Sequence, residues 1–247
     1  MCFDPRMGGR QRPSAGLNIR VAVAQPTTVL GDLSGNVAAH AAAVDSAAAD
    51  LVVFPEMSLS GYAMDAQAVD PEDPRLLPLM AACRRTGAIA LAGAPVHTGG
   101  GGRGIGVLAV SGVGVTVAYI KMSLAEEEAR HFEPGRGPAS LEVRGLRVGI
   151  GVCKDTRIDH HLDRTAALGI DLYVAGLVHA PDELAEFDVR ARRIATAYDL
   201  PVAFAGFAGP TGGGFARTCG GSGVWDCAGT VVRQLGSEPG AVASVEL

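Results

Sequence analysis

Short apolar runs of strand length recur along this chain, and three of them end directly on a charged or reactive residue. Leu51-Val52-Val53-Phe54-Pro55 leads into Glu56, Val115-Thr116-Val117-Ala118-Tyr119-Ile120 into Lys121, and Leu146-Arg147-Val148-Gly149-Ile150-Gly151-Val152 into Cys153. Apolar runs of this length bounded by turn residues predict buried strands. Ligands in α/β folds bind at the carboxyl ends of strands. A carboxylate, a cation and a thiol in such positions are what cysteine-based acyl chemistry needs.

The rest of the chain interleaves strand and helix patterns. Ile19 to Ala24 alternates and is rich in Val, predicting a strand. Leu33 to Ala49 carries Val37, Ala41 and Val44 at helical spacing. Pro74 to Thr86 predicts a second helix, broken by Gly87. Ala88 to Val96 and Ile105 to Val110 predict strands around a loop of glycines, and Val113 to Ile120 a third strand. Asp159 to Leu168 predicts a helix, Leu172 to Val178 a strand, and Pro181 to Tyr198 one long helix with proline in its first turn. Val202 to Phe207, Val224 to Asp226 and Thr230 to Gln234 complete the strands. Several strands follow one another without helices, so the pattern predicts an α/β sandwich more than a doubly wound sheet. Residues 1–18 read as a flexible leader. With no linker after that, residues 19–247 read as a single domain.

Composition removes several classes of function. The 247 residues carry a net charge of −5, which argues against nucleic-acid binding. No run of 18 apolar residues predicts a membrane span. The five cysteines, Cys2, Cys83, Cys153, Cys219 and Cys227, are odd in number and irregularly spaced, which fits reduced thiols in a cytoplasm better than a disulfide framework. There is no Cys-x-x-Cys, and adjacent His160-His161 cannot alone supply a tetrahedral zinc site. Gly99 to Gly104 matches G-x-G-x-x-G, but no helix opens after it, so it reads as a hairpin loop. Neither a phosphate-binding G-x-x-x-x-G-K-S/T nor a G-x-S-x-G elbow is present.

Taken singly, Cys153 reads as a buried structural thiol, Lys121 as a solvated amine and Glu56 as a carboxylate at a helix start. Their surroundings point elsewhere. Phe54-Pro55-Glu56-Met57-Ser58-Leu59-Ser60-Gly61-Tyr62, Tyr119-Ile120-Lys121-Met122-Ser123-Leu124 and Gly149-Ile150-Gly151-Val152-Cys153-Lys154-Asp155-Thr156-Arg157 resemble, in order, the three signatures of the nitrilase superfamily, the carbon–nitrogen hydrolases. The similarity extends over about residues 19 to 235.

The resemblance implies a four-layer α-β-β-α sandwich that dimerises through helices. It assigns Glu56 as general base, Lys121 as the cation near the oxyanion and Cys153 as nucleophile. Glu128, seven positions after the lysine, would orient Lys121 or the substrate. The backbone N–H of Lys154 would assist the oxyanion, and the Lys154 or Arg157 side chain could pair with a substrate carboxylate. For Arg157 a salt bridge within the scaffold is an equal alternative. The chemistry needs no metal or organic cofactor. The implied substrate is a small linear amide or N-carbamoyl compound, an amide rather than a nitrile.

Some positions depart from the family's pattern. Ser123 stands where many members have histidine, Lys154 where an aromatic or acidic residue is common, and Asp159-His160 where Pro-Glu is frequent. Val178-His179-Ala180 lacks a nearby Trp. These departures keep open a second reading, a non-hydrolytic relative that binds a ligand or partner. A third reading, a glutamine-hydrolysing module feeding a synthetase, is disfavoured because no synthetase domain accompanies it.

Overall fold

A computed structural model describes residues 17–247, so the leader reading, apart from Leu17 and Asn18, lies outside the described residues. Leu17 already packs against the core. In chain order the elements are β1 (Arg20–Gln25), α1 (Leu33–Ala47), β2 (Leu51–Val53), α2 (Leu77–Thr86), β3 (Ile89–His97), β4 (Arg103–Val110), β5 (Val115–Ile120), β6 (Ala139–Val143) and β7 (Leu146–Val152). Then come α3 (Asp159–Ala166), β8 (Leu172–Leu177), α4 (Leu184–Tyr198), β9 (Val202–Gly206), β10 (Gly223–Trp225), β11 (Val231–Gln234) and β12 (Ala241–Glu246).

The strands form two six-stranded sheets, ordered β12-β1-β2-β3-β4-β5 and β11-β10-β9-β8-β7-β6. Alternation along the strands builds three apolar layers. Val21 and Val23 of β1, Val148, Ile150 and Val152 of β7, and Leu172 and Val174 of β8 face the space between the sheets. Ala22 and Ala24 point the other way, against Val37 and Val44 of α1 and Leu79 and Cys83 of α2. Tyr173, Ala175 and Leu177 of β8 likewise pack against Phe187, Ala191 and Ile194 of α4. The result is the α-β-β-α sandwich.

The helices begin and end where local chemistry allows. Asp32 accepts a hydrogen bond from the Gly35 backbone N–H at 2.9 Å, capping α1. Gly87, at φ +76°, closes α2. The glycine segment is the hairpin between antiparallel β3 and β4. Other details differ from the sequence expectation. The segment from Pro181 is a 3₁₀ turn, Pro181–Glu183, before α4 starts at Leu184. β6 and β12 were not expected at all. Both are edge strands, and pairing with β7 and β1 defines them.

Strand direction gathers the reactive residues. β4 runs antiparallel to both β3 and β5, and β3 is parallel to β2. β5 therefore points the same way as β2, and their carboxyl ends share one rim. The carboxyl end of β7, from the other sheet, meets them there.

Candidate active site

Lys121, directly after β5, is 1 % exposed rather than solvated. Its ammonium Nζ lies 2.7 Å from Glu56 Oε1 and 2.6 and 2.8 Å from the two oxygens of Glu128. One buried cation therefore holds two buried carboxylates. Tyr62 donates its hydroxyl to Glu128 Oε1 at 2.7 Å, and the Ala125 backbone N–H donates to Oε2 at 2.7 Å, so Glu128 is saturated with donors.

Glu56 does not start a helix. It opens a tight turn over residues 56–60, with Met57 at φ +53°. Two glycines clasp this turn. A Cβ on Gly93 of β3 would come within 2.3 Å of the Met57 nitrogen, and one on Gly176 of β8 within 2.6 Å of the Phe54 carbonyl oxygen. Neither position tolerates a side chain without moving the glutamate. His40 of α1 supports the turn from below, bonding Ser58 Oγ at 2.8 Å and the Asn36 carbonyl at 2.7 Å.

Cys153 adopts φ +40°, a left-handed conformation that costs a residue with a side chain on the order of 1–3 kcal/mol. The sharp turn at the end of β7 leaves the thiol half-buried, donating to the Val178 carbonyl at 3.8 Å. Asp155 pins this elbow. It accepts from the Val152 N–H at 3.1 Å, the Tyr119 hydroxyl at 2.8 Å and the Ser123 N–H at 2.9 Å. The same carboxylate thus ties the cysteine turn to the segment carrying Lys121, and Ser123 joins through its backbone rather than its side chain.

Burial and charge set the protonation states. Burial raises Glu56 to about 7 despite the opposing Lys121 charge, and Glu128 adds to the rise. Burial, reinforced by Glu56, pushes the Cys153 thiol up to about 12. For Glu128, burial works upward, but the Lys121 ammonium and hydrogen bonds overcome it and hold the carboxyl below its usual range. Burial opposes charge on Lys121, yet Glu56, Cys153 and Glu128 outweigh it and raise its pKa. The resting arrangement is a neutral thiol, a firmly charged lysine and a carboxyl group poised near neutrality. Among the described residues Glu56 Oε2 has no hydrogen-bond partner within ordinary reach, and Cys153 is among the side chains acting on this carboxyl.

The structure brings Glu56, Lys121, Glu128 and Cys153 together. Lys154 and Arg157 are placed differently. The Lys154 ammonium donates to the Leu124 carbonyl at 2.6 Å. Arg157 is exposed and pairs with Glu186 at 2.8 Å, the scaffold alternative for that residue. Tyr62 and Asp155 stand inside the recognised motifs, but no role was read for them. Phe215, which meets the Tyr62 ring edge-on at 5.5 Å, lies in a glycine-rich loop without any such signal.

Residues 20–247 match the carbon-nitrogen hydrolase family, and the chain belongs to it. An (R)-stereoselective amidase from Pseudomonas is 31% identical over 151 residues, 58% of this chain, and the match spans about half, 54%, of that amidase. A hydrolase of Mycobacterium tuberculosis is 32% identical over 227 residues, covering 84% of this chain and 80% of its own length. Among solved structures, an amidase from Nesterenkonia sp. AN1, with acrylamide added at its active-site cysteine, superposes with a TM-score of 0.82 at 28% identity and 93% coverage of both chains. The protein is an amidase-like carbon–nitrogen hydrolase. Among the described residues no helix is long and apolar enough to cross a membrane.

Proposed function

We propose that the protein hydrolyses a small linear amide or N-carbamoyl compound through a thioester on Cys153, releasing ammonia. The observation that carries this reading is Lys121 Nζ held within 2.8 Å of both Glu56 and Glu128 beside a strained cysteine turn. A thiol with a pKa near 12 is not a standing thiolate, so attack requires a base at the moment of reaction. Glu56 takes the thiol proton as sulfur bonds to the carbonyl carbon. The oxyanion forms against the Lys121 ammonium and the backbone N–H of Lys154. Losing one such donor typically costs on the order of 10²–10³ in rate. The carbon–nitrogen bond breaks as Glu56 returns that proton to the departing nitrogen. Water, deprotonated by Glu56, then attacks the thioester, and the carbon–sulfur bond breaks as Glu56 passes that proton to the sulfur, restoring the thiol and releasing the acid. Glu128 keeps the ammonium in place throughout. No step requires a metal or organic cofactor.

The Pseudomonas and Nesterenkonia relatives named as amidases support an amide over a nitrile. Residues 19–247 would act as one catalytic domain. Free thiols at Cys83, Cys153, Cys219 and Cys227 fit a cytoplasmic setting. Exposed Val189 and Leu184 on α4 support a homodimer or larger homo-oligomer.

A panel of short amides, ureido acids and nitriles assayed for ammonia release tests the assignment. Turnover of at least one amide or ureido compound is expected. Covalent labelling of Cys153 without turnover of any member would favour the non-hydrolytic reading. The pH profile tests Glu56. Its carboxylate form accepts the thiol proton and its folded pKa is about 7, so kcat/KM rises about tenfold per pH unit below 7 and levels off above it. A flat profile from pH 5 to 8 would remove Glu56 from the base role.

A further inference from the structure

A second cluster of side chains converges on the outer side of the cysteine-bearing sheet. His179 follows β8, Glu183 ends the 3₁₀ turn Pro181–Glu183, and Glu186 lies in the first turn of α4. One ligand atom from each lies within 4.8 Å of the others. His179 is only 2 % exposed and packs edge-on against Phe187, ring centroids 5.0 Å apart. Among the described residues neither of its ring nitrogens has a hydrogen-bond partner. A buried polar group left unpaired forfeits its hydration without compensation, so such an imidazole calls for a ligand.

We propose that His179, Glu183 and Glu186 form a site for a divalent metal ion of the zinc class, separate from the Glu56–Lys121–Cys153 site. One imidazole and two carboxylates are a donor set that suits zinc, and three protein ligands leave a position for water. Bond lengths of about 2.0–2.2 Å put tetrahedral ligand atoms roughly 3.4 Å apart, so the cluster has to contract by about an ångström. The two glutamates supply that movement, their side chains being 35 % and 49 % exposed. Glu183 Oε2 accepts from the Ala180 N–H at 2.8 Å, so Oε1, which lies 3.8 Å from Arg157 Nη2, is the oxygen that would turn toward the ion.

Two guanidinium groups compete for the same carboxylates. Arg157 Nη2 lies 2.8 Å from Glu186 and 3.8 Å from Glu183, and Arg190 also bonds Glu186. In the metal-free protein these arginines neutralise the glutamates. Arg157 is 48 % exposed and can withdraw into solvent, giving up only a weak, solvent-screened ion pair. Arg190 is buried and stays, so its charge limits the affinity. The site also neighbours the thiol, since His179 directly follows Val178, whose carbonyl faces the Cys153 sulfur.

The test titrates purified, chelator-treated enzyme, its thiols alkylated with iodoacetamide, with Co²⁺ while visible absorption is recorded, and with Zn²⁺ by calorimetry. Thiol alkylation removes the cysteines as competing ligands. One equivalent with a tetrahedral Co²⁺ spectrum is expected. His179→Ala and Glu186→Gln should each weaken binding on the order of tenfold or more, and Arg157→Gln should tighten it several-fold by removing a competing cation. Glu186 is half-exposed, so its variant reads the site even if the His179 variant fails to fold. No Co²⁺ band at millimolar metal, or affinity unchanged in Glu186→Gln, would overturn the proposal. Neither result bears on amide hydrolysis.

Discussion

Replacing Cys153 with alanine is expected to abolish amide turnover, by on the order of 10⁴-fold or more, while the fold remains. In the proposed mechanism the loss follows from removing the atom that would form the thioester, which no neighbouring group would replace. The fold remains because the thiol makes little else. It donates weakly to the Val178 carbonyl at 3.8 Å and acts on the Glu56 carboxyl, and the side chain is half-buried. The left-handed backbone at φ +40° suits alanine no worse than cysteine. Ammonia release measured beside a thermal melt separates the two effects. Rates within tenfold of the parent would remove Cys153 from the chemistry.

Lys121→Met behaves differently, losing both activity and stability. The methionine fills the volume but leaves Glu56 and Glu128 facing each other, buried and without their shared cation. Breaking a buried ion pair by removing one partner costs about 3–5 kcal/mol. For a chain of this size that lowers Tm by on the order of 10 °C. The penalty depends on pH. Without Lys121 both carboxyl pKa values rise in the folded state, so between the unfolded carboxyl value and the raised ones the folded protein binds more protons. Stability therefore falls as pH rises through that window, and the variant is closest to the parent in acid. Denaturant melts at pH 5 and pH 8 check this. A destabilisation equal at both would mean that the carboxylates are not what the lysine holds.

The two halves of this site differ in how far the sequence shows them. Glu56, Lys121 and Cys153 are legible because each directly follows an apolar run, and strand direction then forces their ends together. Glu128 came only through the resemblance to the family, since three adjacent glutamates give no local reason to choose one. The structure supplies that reason, because Glu126 and Glu127 pair with Arg130 on the surface while Glu128 is buried. β6 and β12 were illegible for a related reason. Ala-Ser-Leu-Glu-Val and Ala-Val-Ala-Ser-Val-Glu carry little strand propensity, and partner strands distant in sequence make them strands. The break before α4 was also hidden, since Pro181 suits the first turn of a 3₁₀ or an α-helix equally. His179, Glu183 and Glu186 stand close in sequence, but whether they converge depends on how the loop after β8 meets α4.

A covalent bond between substrate and sulfur is the centre of the proposed mechanism. Mixing the enzyme with an excess of a turned-over amide, quenching in acid and weighing the intact protein tests it most directly. The predicted result is an added mass equal to the acyl group less one hydrogen. It should map to the peptide bearing Cys153, vanish on hydroxylamine treatment and be absent in Cys153→Ala. Steady turnover with no acyl adduct at Cys153, or an adduct on Cys219 or Cys227 instead, would contradict it.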